Sequence, residues 1–212
     1  MMTEDLRRLP TCLTVPGLGG SGPDHWQSVW ERERRDCDRI ELGCWDSPQR
    51  NVWIGRIDDA VRRASGPVVL VAHSLGCLAV AWWAGLLGQD VTGPVAGALL
   101  VAPPDVERQD APEVLRRFAP TPRAPLPFPA ILVASSDDPY CSLKRAEEMA
   151  AGWLADFVSV EERGHLNAES RLGAWREGQQ LLDLLLNGET RRAAAASAPI
   201  LAAPLPRHVM MR

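Results

Sequence analysis

Val68-Val69-Leu70-Val71-Ala72 is an unbroken apolar run, and such a run predicts a strand buried on both faces. From Leu75 to Leu87 the apolar residues return at helical spacing, rich in Ala, Leu and Trp. Only His73-Ser74 separates the two patterns, so the chain must turn sharply there. Upstream, residues 11–15 predict a first strand and 25–35 a helix, with Trp26 and Trp30 four apart on one face and Asp24 as its natural N-cap. Residues 39–42 predict a short second strand, and 51–64 a helix turning Trp53, Ile54, Ile57 and Val61 inward. Further strands are predicted at 97–102, 130–134 and 157–160, and further helices at 143–154 and 171–186. Strands alternating with helices imply an α/β domain, a mostly parallel six-stranded sheet with helices on both faces.

Two segments stand outside this alternation. Residues 103–129 hold eight prolines and a short apolar helix candidate at 113–118. At the carboxyl end of a strand, such an insert reads either as a cover over a pocket or as a plain spacer. Residues 188–212 are Ala- and Pro-rich without periodicity, so the domain is expected over 1–187 and a disordered tail beyond it. No internal repeat is visible.

With 212 residues, 46% of them hydrophobic, the chain builds one sizeable core. A net charge of −4 argues against a nucleic-acid partner. No apolar run is long enough to span a bilayer, and residues 1–10 carry Glu4, Asp5, Arg7 and Arg8 without the apolar stretch of a signal peptide. No membrane association is expected. The five cysteines are odd in number and form no CxxC pair, which points to free thiols in a reducing cytoplasm and to no metal site.

The sharp turn at Ser74 carries the candidate chemistry. A serine between a buried strand and a helix is pushed out at the sheet's carboxyl edge, with the helix N-terminus and the Leu75 N–H behind it. The alternative is that Ser74 merely caps the helix. Strand and helix pass closely at such a turn, which calls for small residues two positions either side; Ala72 and Gly76 stand there. A serine nucleophile needs a base. Of four histidines, His208 lies in the tail, His73 is directed to the other side of the strand end, and His25 opens the first helix, where it packs, caps or lines the pocket. His165, in a loop just after the sixth strand, is the candidate. A carboxylate is offered by Asp137-Asp138 after the fifth strand. The order Ser, Asp, His at successive strand ends is that of α/β-hydrolases, whose site lies at this edge. An oxyanion hole then requires the Leu75 N–H and a donor from the glycine-rich loop after the first strand, Leu18 first and Gly19 second.

These pieces resemble a known group. Val15-Pro16-Gly17, His25-Trp26, Trp45-Asp46-Ser47-Pro48, Val71-Ala72-His73-Ser74-Leu75-Gly76-Cys77, Asp138-Pro139-Tyr140, Gly164-His165-Leu166-Asn167 and Gly173-Ala174-Trp175 together look like the small serine-hydrolase family related to retinoblastoma-binding protein 9. Ala72 and Ser142 depart from that family's commonest pattern, which has glycine and proline there. The resemblance implies a single-domain minimal α/β-hydrolase fold, no cofactor, and Ser74, Asp138 and His165 as a catalytic triad. Pro139 favours Asp138 on physical grounds too, because it biases the residue before it toward an extended, fixed backbone; Asp137 then caps the turn or faces solvent. The namesake's association with retinoblastoma protein runs through an L-x-C-x-E motif, of which Leu42-Gly43-Cys44-Trp45-Asp46 is only a near match, read here as structural. The expected activity is hydrolysis of small carboxylic esters through an acyl-enzyme, with a small acyl compound as the binding partner and no protein partner assigned. Amide or thioester cleavage by the same groups, and a non-catalytic binding protein on the same fold, are the alternatives.

Overall fold

The structure, a computed structural model, describes residues 10–87 and 94–188 and the backbone of Met210–Met211. Strands β1 (Thr11–Val15), β2 (Cys37–Arg39), β3 (Val68–His73), β4 (Val95–Val101), β5 (Ala130–Ser135), β6 (Asp156–Val160) and β7 (Met210–Met211) form one sheet in the order β2-β1-β3-β4-β5-β6-β7. Every pairing is parallel. The connecting helices are α1 (Trp26–Glu33), α2 (Arg50–Arg63), α3 (Leu75–Leu87), α4 (Glu113–Arg116), α5 (Leu143–Trp153) and α6 (Arg176–Leu186).

Alternate residues of the strands feed two cores. On one face Val68, Leu70 and Ala72 of β3 meet Trp53 and Ile57 of α2, Leu78 of α3 and Trp153 of α5. On the other, Val69 and Val71 meet Trp26 and Trp30 of α1 and Leu181 and Leu182 of α6. All six residues of β3 are buried, as a strand covered on both faces requires. The strand order reverses between β1 and β3, because β2 lies on one side of β1 and all later strands on the other. The loops leaving β1 and β3 therefore diverge and open a crevice at the sheet's carboxyl edge.

Several boundaries differ from the sequence expectation, each for a local reason. The second strand comes two residues early, over Cys37–Arg39, because it pairs with Cys12, Leu13 and Thr14; beyond Ile40 the neighbouring strand has left the sheet. His25, not Asp24, caps α1, its Nδ1 accepting the Gln27 N–H at 3.2 Å. The last helix begins at Arg176, because Arg171, Gly173 and Trp175 have left-handed backbone that no helix accommodates. Met210–Met211 are strand where a structureless tail is expected: they use the open backbone edge of β6, with Ser159 opposite Met210. The rest of the expected tail, 189–209 and 212, lies outside the described residues.

At the start of α3 the packing is backbone on backbone. A Cβ on Gly76, in the first turn of α3, would stand 2.3 Å from Val15 O and 2.7 Å from Pro16 O. Gly76→Ala is therefore expected to destabilise the fold by about 3 kcal/mol, the upper range for overpacking. Gly85, further along the same helix, has open space at its Cβ position. Gly85→Ala should instead stabilise by about 1 kcal/mol through helix propensity. Thermal melts of the two variants check the pair; equal shifts would contradict the close approach.

Candidate active site

Ser74 is the single residue between β3 and α3, and its backbone is left-handed, with φ 53°. A non-glycine residue there is strained unless its neighbours fix it. They do: the Ser74 N–H donates to Val101 O at the end of β4 (2.8 Å), and Ser74 O accepts the Cys77 N–H (2.9 Å). From the β1 side, Gly17 presses against the turn, where a Cβ would lie 2.8 Å from Ser74 Cβ and 3.3 Å from Leu75 N. Ala72 sits fully buried in the core two residues before the serine.

The three residues singled out in the sequence converge. Ser74 Oγ donates to His165 Nε2 at 2.8 Å, and His165 Nδ1 lies 2.9 and 3.0 Å from the two oxygens of Asp138. Since a carboxylate only accepts, the proton of a neutral His165 sits on Nδ1, leaving the Nε2 lone pair for the serine. The Asp138 side chain is 2% exposed and that of His165 10%. The Tyr140 N–H also donates to Asp138 Oδ1 (2.9 Å), and the Tyr140 ring packs at a tilt against the imidazole with centroids 4.5 Å apart. Asp137 does not reach the imidazole; its Oδ1 accepts from Ser135 Oγ and the Gly164 N–H, each at 2.7 Å.

A cavity of about 390 Å³ opens beside Ser74. Leu18 forms one wall, while Pro112 and Leu115 bring the proline-rich insert to the other, so that insert does border the pocket. In the loop after β1 the Gly19 N–H donates to Trp45 O and the Gly20 N–H to Gly17 O. That leaves the Leu18 N–H, from the residue lining the cavity, as the loop's candidate donor opposite Leu75. The stretch from Leu42 to Asp46 bends through left-handed Gly43 and Cys44, and packs Trp45 against Trp53. Its geometry is that of a turn bracing the Leu18 loop.

Sequence reasoning missed the residues that hold His165 from behind. His73 does not turn away from the site: its Nε2 donates to His165 O at 2.9 Å, and the rings lie 5.0 Å apart. Trp26 Nε1 donates to Leu166 O at 2.8 Å. His25 also borders the cavity, its ring 4.6 Å from that of His73. The sequence offers His25 as packing, capping or lining the pocket and Trp26 as one side of a helix face, and nothing local signals Trp26's partner 140 residues away.

His25 and His73 are kept neutral. Burial above all, then Arg39 and His165, brings His25 down to about 4. His73 is driven well below the usual imidazole range by burial first and then by its two histidine neighbours, with its bond to the His165 carbonyl opposing. Such an imidazole takes up a proton on unfolding, so acid favours the unfolded chain. The stabilisation is complete above the unfolded pKa of about 6.5 and is lost as pH falls toward about 4. The thermal midpoint should therefore drop between pH 7 and pH 5, His25 alone accounting for about 2 kcal/mol. His25→Asn, which retains a capping acceptor, should flatten that slope. Equal slopes in variant and wild type would contradict the assignment.

Comparison with known proteins identifies the family. A family model described as serine hydrolase matches residues 12–184. A YdeN-like hydrolase from Pectobacterium atrosepticum is 34% identical, covering 85% of this chain and 92% of its own, with a TM-score of 0.74. The ydeN gene product of B. subtilis is 16% identical, covering 84% of this chain and 99% of its own, at a TM-score of 0.69. The type II thioesterase BorB of the borrelidin biosynthetic cluster shares the fold at 17% identity and a TM-score of 0.56, covering 84% of this chain and 93% of its own. No curated protein matches the sequence. The family match runs from β1 into α6, across every element that shapes the crevice, and the chain belongs to the serine hydrolase family.

Proposed function

We propose that the protein is a carboxylesterase-like hydrolase that cleaves small esters with Ser74 as nucleophile, His165 as general base and acid, and Asp138 as its orienting carboxylate. The observation that carries this reading is the unbroken chain of hydrogen bonds from Ser74 Oγ through both nitrogens of His165 to Asp138. Ser74 Oγ attacks the substrate carbonyl as its proton passes to His165 Nε2, and the carboxylate of Asp138 stabilises the imidazolium. The oxygen of the tetrahedral intermediate is received by the Leu18 and Leu75 N–H groups, the latter at the positive end of α3. His165 then protonates the leaving alcohol, and a water repeats the sequence to free the acid. No step calls for a cofactor. On its motifs the chain is read, within its family, as a member of the branch related to retinoblastoma-binding protein 9.

A fluorophosphonate probe tests the nucleophile directly, because only an activated serine reacts quickly with it. Wild type should be labelled at Ser74 and Ser74→Ala should not. Equal labelling of both would remove Ser74 from the mechanism, and no labelling of either would favour a binding protein on a hydrolase fold.

The size of the cavity, about 390 Å³, supports small substrates. Across a series of acyl lengths on one alcohol, kcat/KM is expected to peak at short chains. A steady rise with chain length, especially at a lipid interface, would refute that preference. Matched amides and thioesters in the same assay compare the three leaving groups.

A further inference from the structure

The loop that carries His165 is built from strained backbone that its own few hydrogen bonds only partly hold. Glu162, Gly164 and Leu166 all have positive φ, of 43°, 56° and 50°, so alternate residues around the histidine sit in the left-handed region. For Glu162 and Leu166 that conformation costs on the order of 1 kcal/mol or more each, and it persists only where surrounding bonds impose it. On the side of α1 and the serine turn, His73 and Trp26 hold the carbonyls of His165 and Leu166. Within the loop, Ser170 Oγ donates to Arg163 O at 2.6 Å.

On the remaining side the N–H groups of three consecutive residues meet three consecutive side chains, that of the last residue of β5 and those of the two residues after it. The Glu162 N–H donates to Ser136 Oγ (3.1 Å), the Arg163 N–H to Ser135 Oγ (2.8 Å) and the Gly164 N–H to Asp137 Oδ1 (2.7 Å). Ser135 Oγ, having accepted from Arg163, passes its own proton to the same Asp137 oxygen at 2.7 Å. The Asp137 carboxylate therefore ends both hydrogen-bond chains. An ionised acceptor makes such bonds shorter and stronger than a neutral one. The Ser135 hydroxyl, followed by the N–H of Gly164, holds Asp137 below the usual carboxylate range, so it stays ionised throughout the neutral range.

Asp137 precedes Asp138, and Gly164 precedes His165. The clamp thus joins the two residues whose successors form the imidazole–carboxylate pair. We propose that Asp137 is a positioning residue that sets the His165–Asp138 distance by tying the two loops together one residue upstream of each. The inference rests on the proposed triad for its effect on rate, though the pairing itself can be observed without turnover. It also explains why an exposed acid adjoins a buried one: each carboxylate serves one side of the same junction.

The test compares Asp137→Ala, Asp137→Asn and the reference Asp138→Asn in the full chain, with p-nitrophenyl acetate as ester and a fluorophosphonate as the active-site probe. Asp137→Ala should lower kcat and the labelling rate by about 10²-fold, the scale of a displacement of about 1 Å at a reacting group, with KM little changed. Asp137→Asn keeps an Oδ1 that accepts from both Gly164 and Ser135, so it should remain within about threefold of wild type, since the lost charge weakens the bonds without removing them. Asp138→Asn should lose about 10⁴-fold, as an orienting aspartate does in serine proteases. Thermal melts separate positioning from unfolding, and Asp137→Ser, too short to span both loops, serves if the alanine variant does not fold.

The imidazole Nδ1 proton provides a readout that needs neither substrate nor nucleophile. Its far-downfield NMR resonance should persist in wild type, Ser74→Ala and Asp137→Asn, and should be lost or exchange-broadened in Asp137→Ala. An unchanged resonance together with an unchanged rate in Asp137→Ala overturns the proposal, as does an Asp137→Asn variant as impaired as Asp137→Ala. If wild type is neither labelled nor active yet the resonance still depends on Asp137, the esterase reading fails and the positioning role stands.

Discussion

Backbone presses on backbone where the end of β1 runs past the first turn of α3, and glycine at positions 17 and 76 is what permits it. The missing Cβ of Gly76 would stand 2.3 Å from Val15 O, and that of Gly17 2.8 Å from Ser74 Cβ. Because β1 and α3 come this close, the residue between β3 and α3 has no room for an ordinary turn and adopts φ 53°. The same contact brings the loop after β1, whose Leu18 lines the cavity, beside the start of α3. The left-handed serine turn, the helix N-terminus behind it and the placement of the proposed oxyanion donors thus follow from one approach distance. The divergence of strand order between β1 and β3 supplies the crevice in which they meet.

What could be read from the sequence was whatever a short stretch determines by itself. Val68–Ala72 followed by Leu75–Leu87 fixes a buried strand and a helix, and Ser74 is the residue left between them. The chain order of Ser74, Asp138 and His165 needs only strand ends counted correctly. Boundaries shifted where a neighbour decided them. Ile40 and Leu42 are apolar enough to read as strand, yet the sheet at that edge ends with the last pairing of β1. His25 displaced Asp24 as the cap because its Nδ1, not a carboxylate, meets the Gln27 N–H.

The groups that stiffen the site were not legible, and the reason is distance along the chain. His73 holds a carbonyl 92 residues on, and Trp26 one 140 residues on. The Asp137 clamp is hidden differently. Its partners are backbone N–H groups, which every residue but proline possesses, so nothing in the composition of residues 162–164 announces them. Only Gly164 gives a hint, since a left-handed residue beside the histidine is natural for glycine.

The three clustered histidines show how packing assigns different roles to one side chain. His25, His73 and His165 lie ring against ring, with centroids 4.6 Å apart in the first pair and 5.0 Å in the second. In the proposed mechanism His165 must become an imidazolium during each half-reaction. A second positive imidazole at such a distance would oppose that charge, and weak screening in a buried site would strengthen the opposition. Burial prevents it, holding His25 near 4 and His73 well below its usual range, so neither adds positive charge to the cluster. His73 is then free to use its one proton on the carbonyl of His165, as a fixed donor and not as a titrating group. Asp138 supplies the carboxylate paired with the imidazole, from a side chain that is itself almost completely buried. The base is thereby distinguished from its two neighbours by its partner: of the three rings, it is the one bonded to a carboxylate on one nitrogen and to the serine on the other.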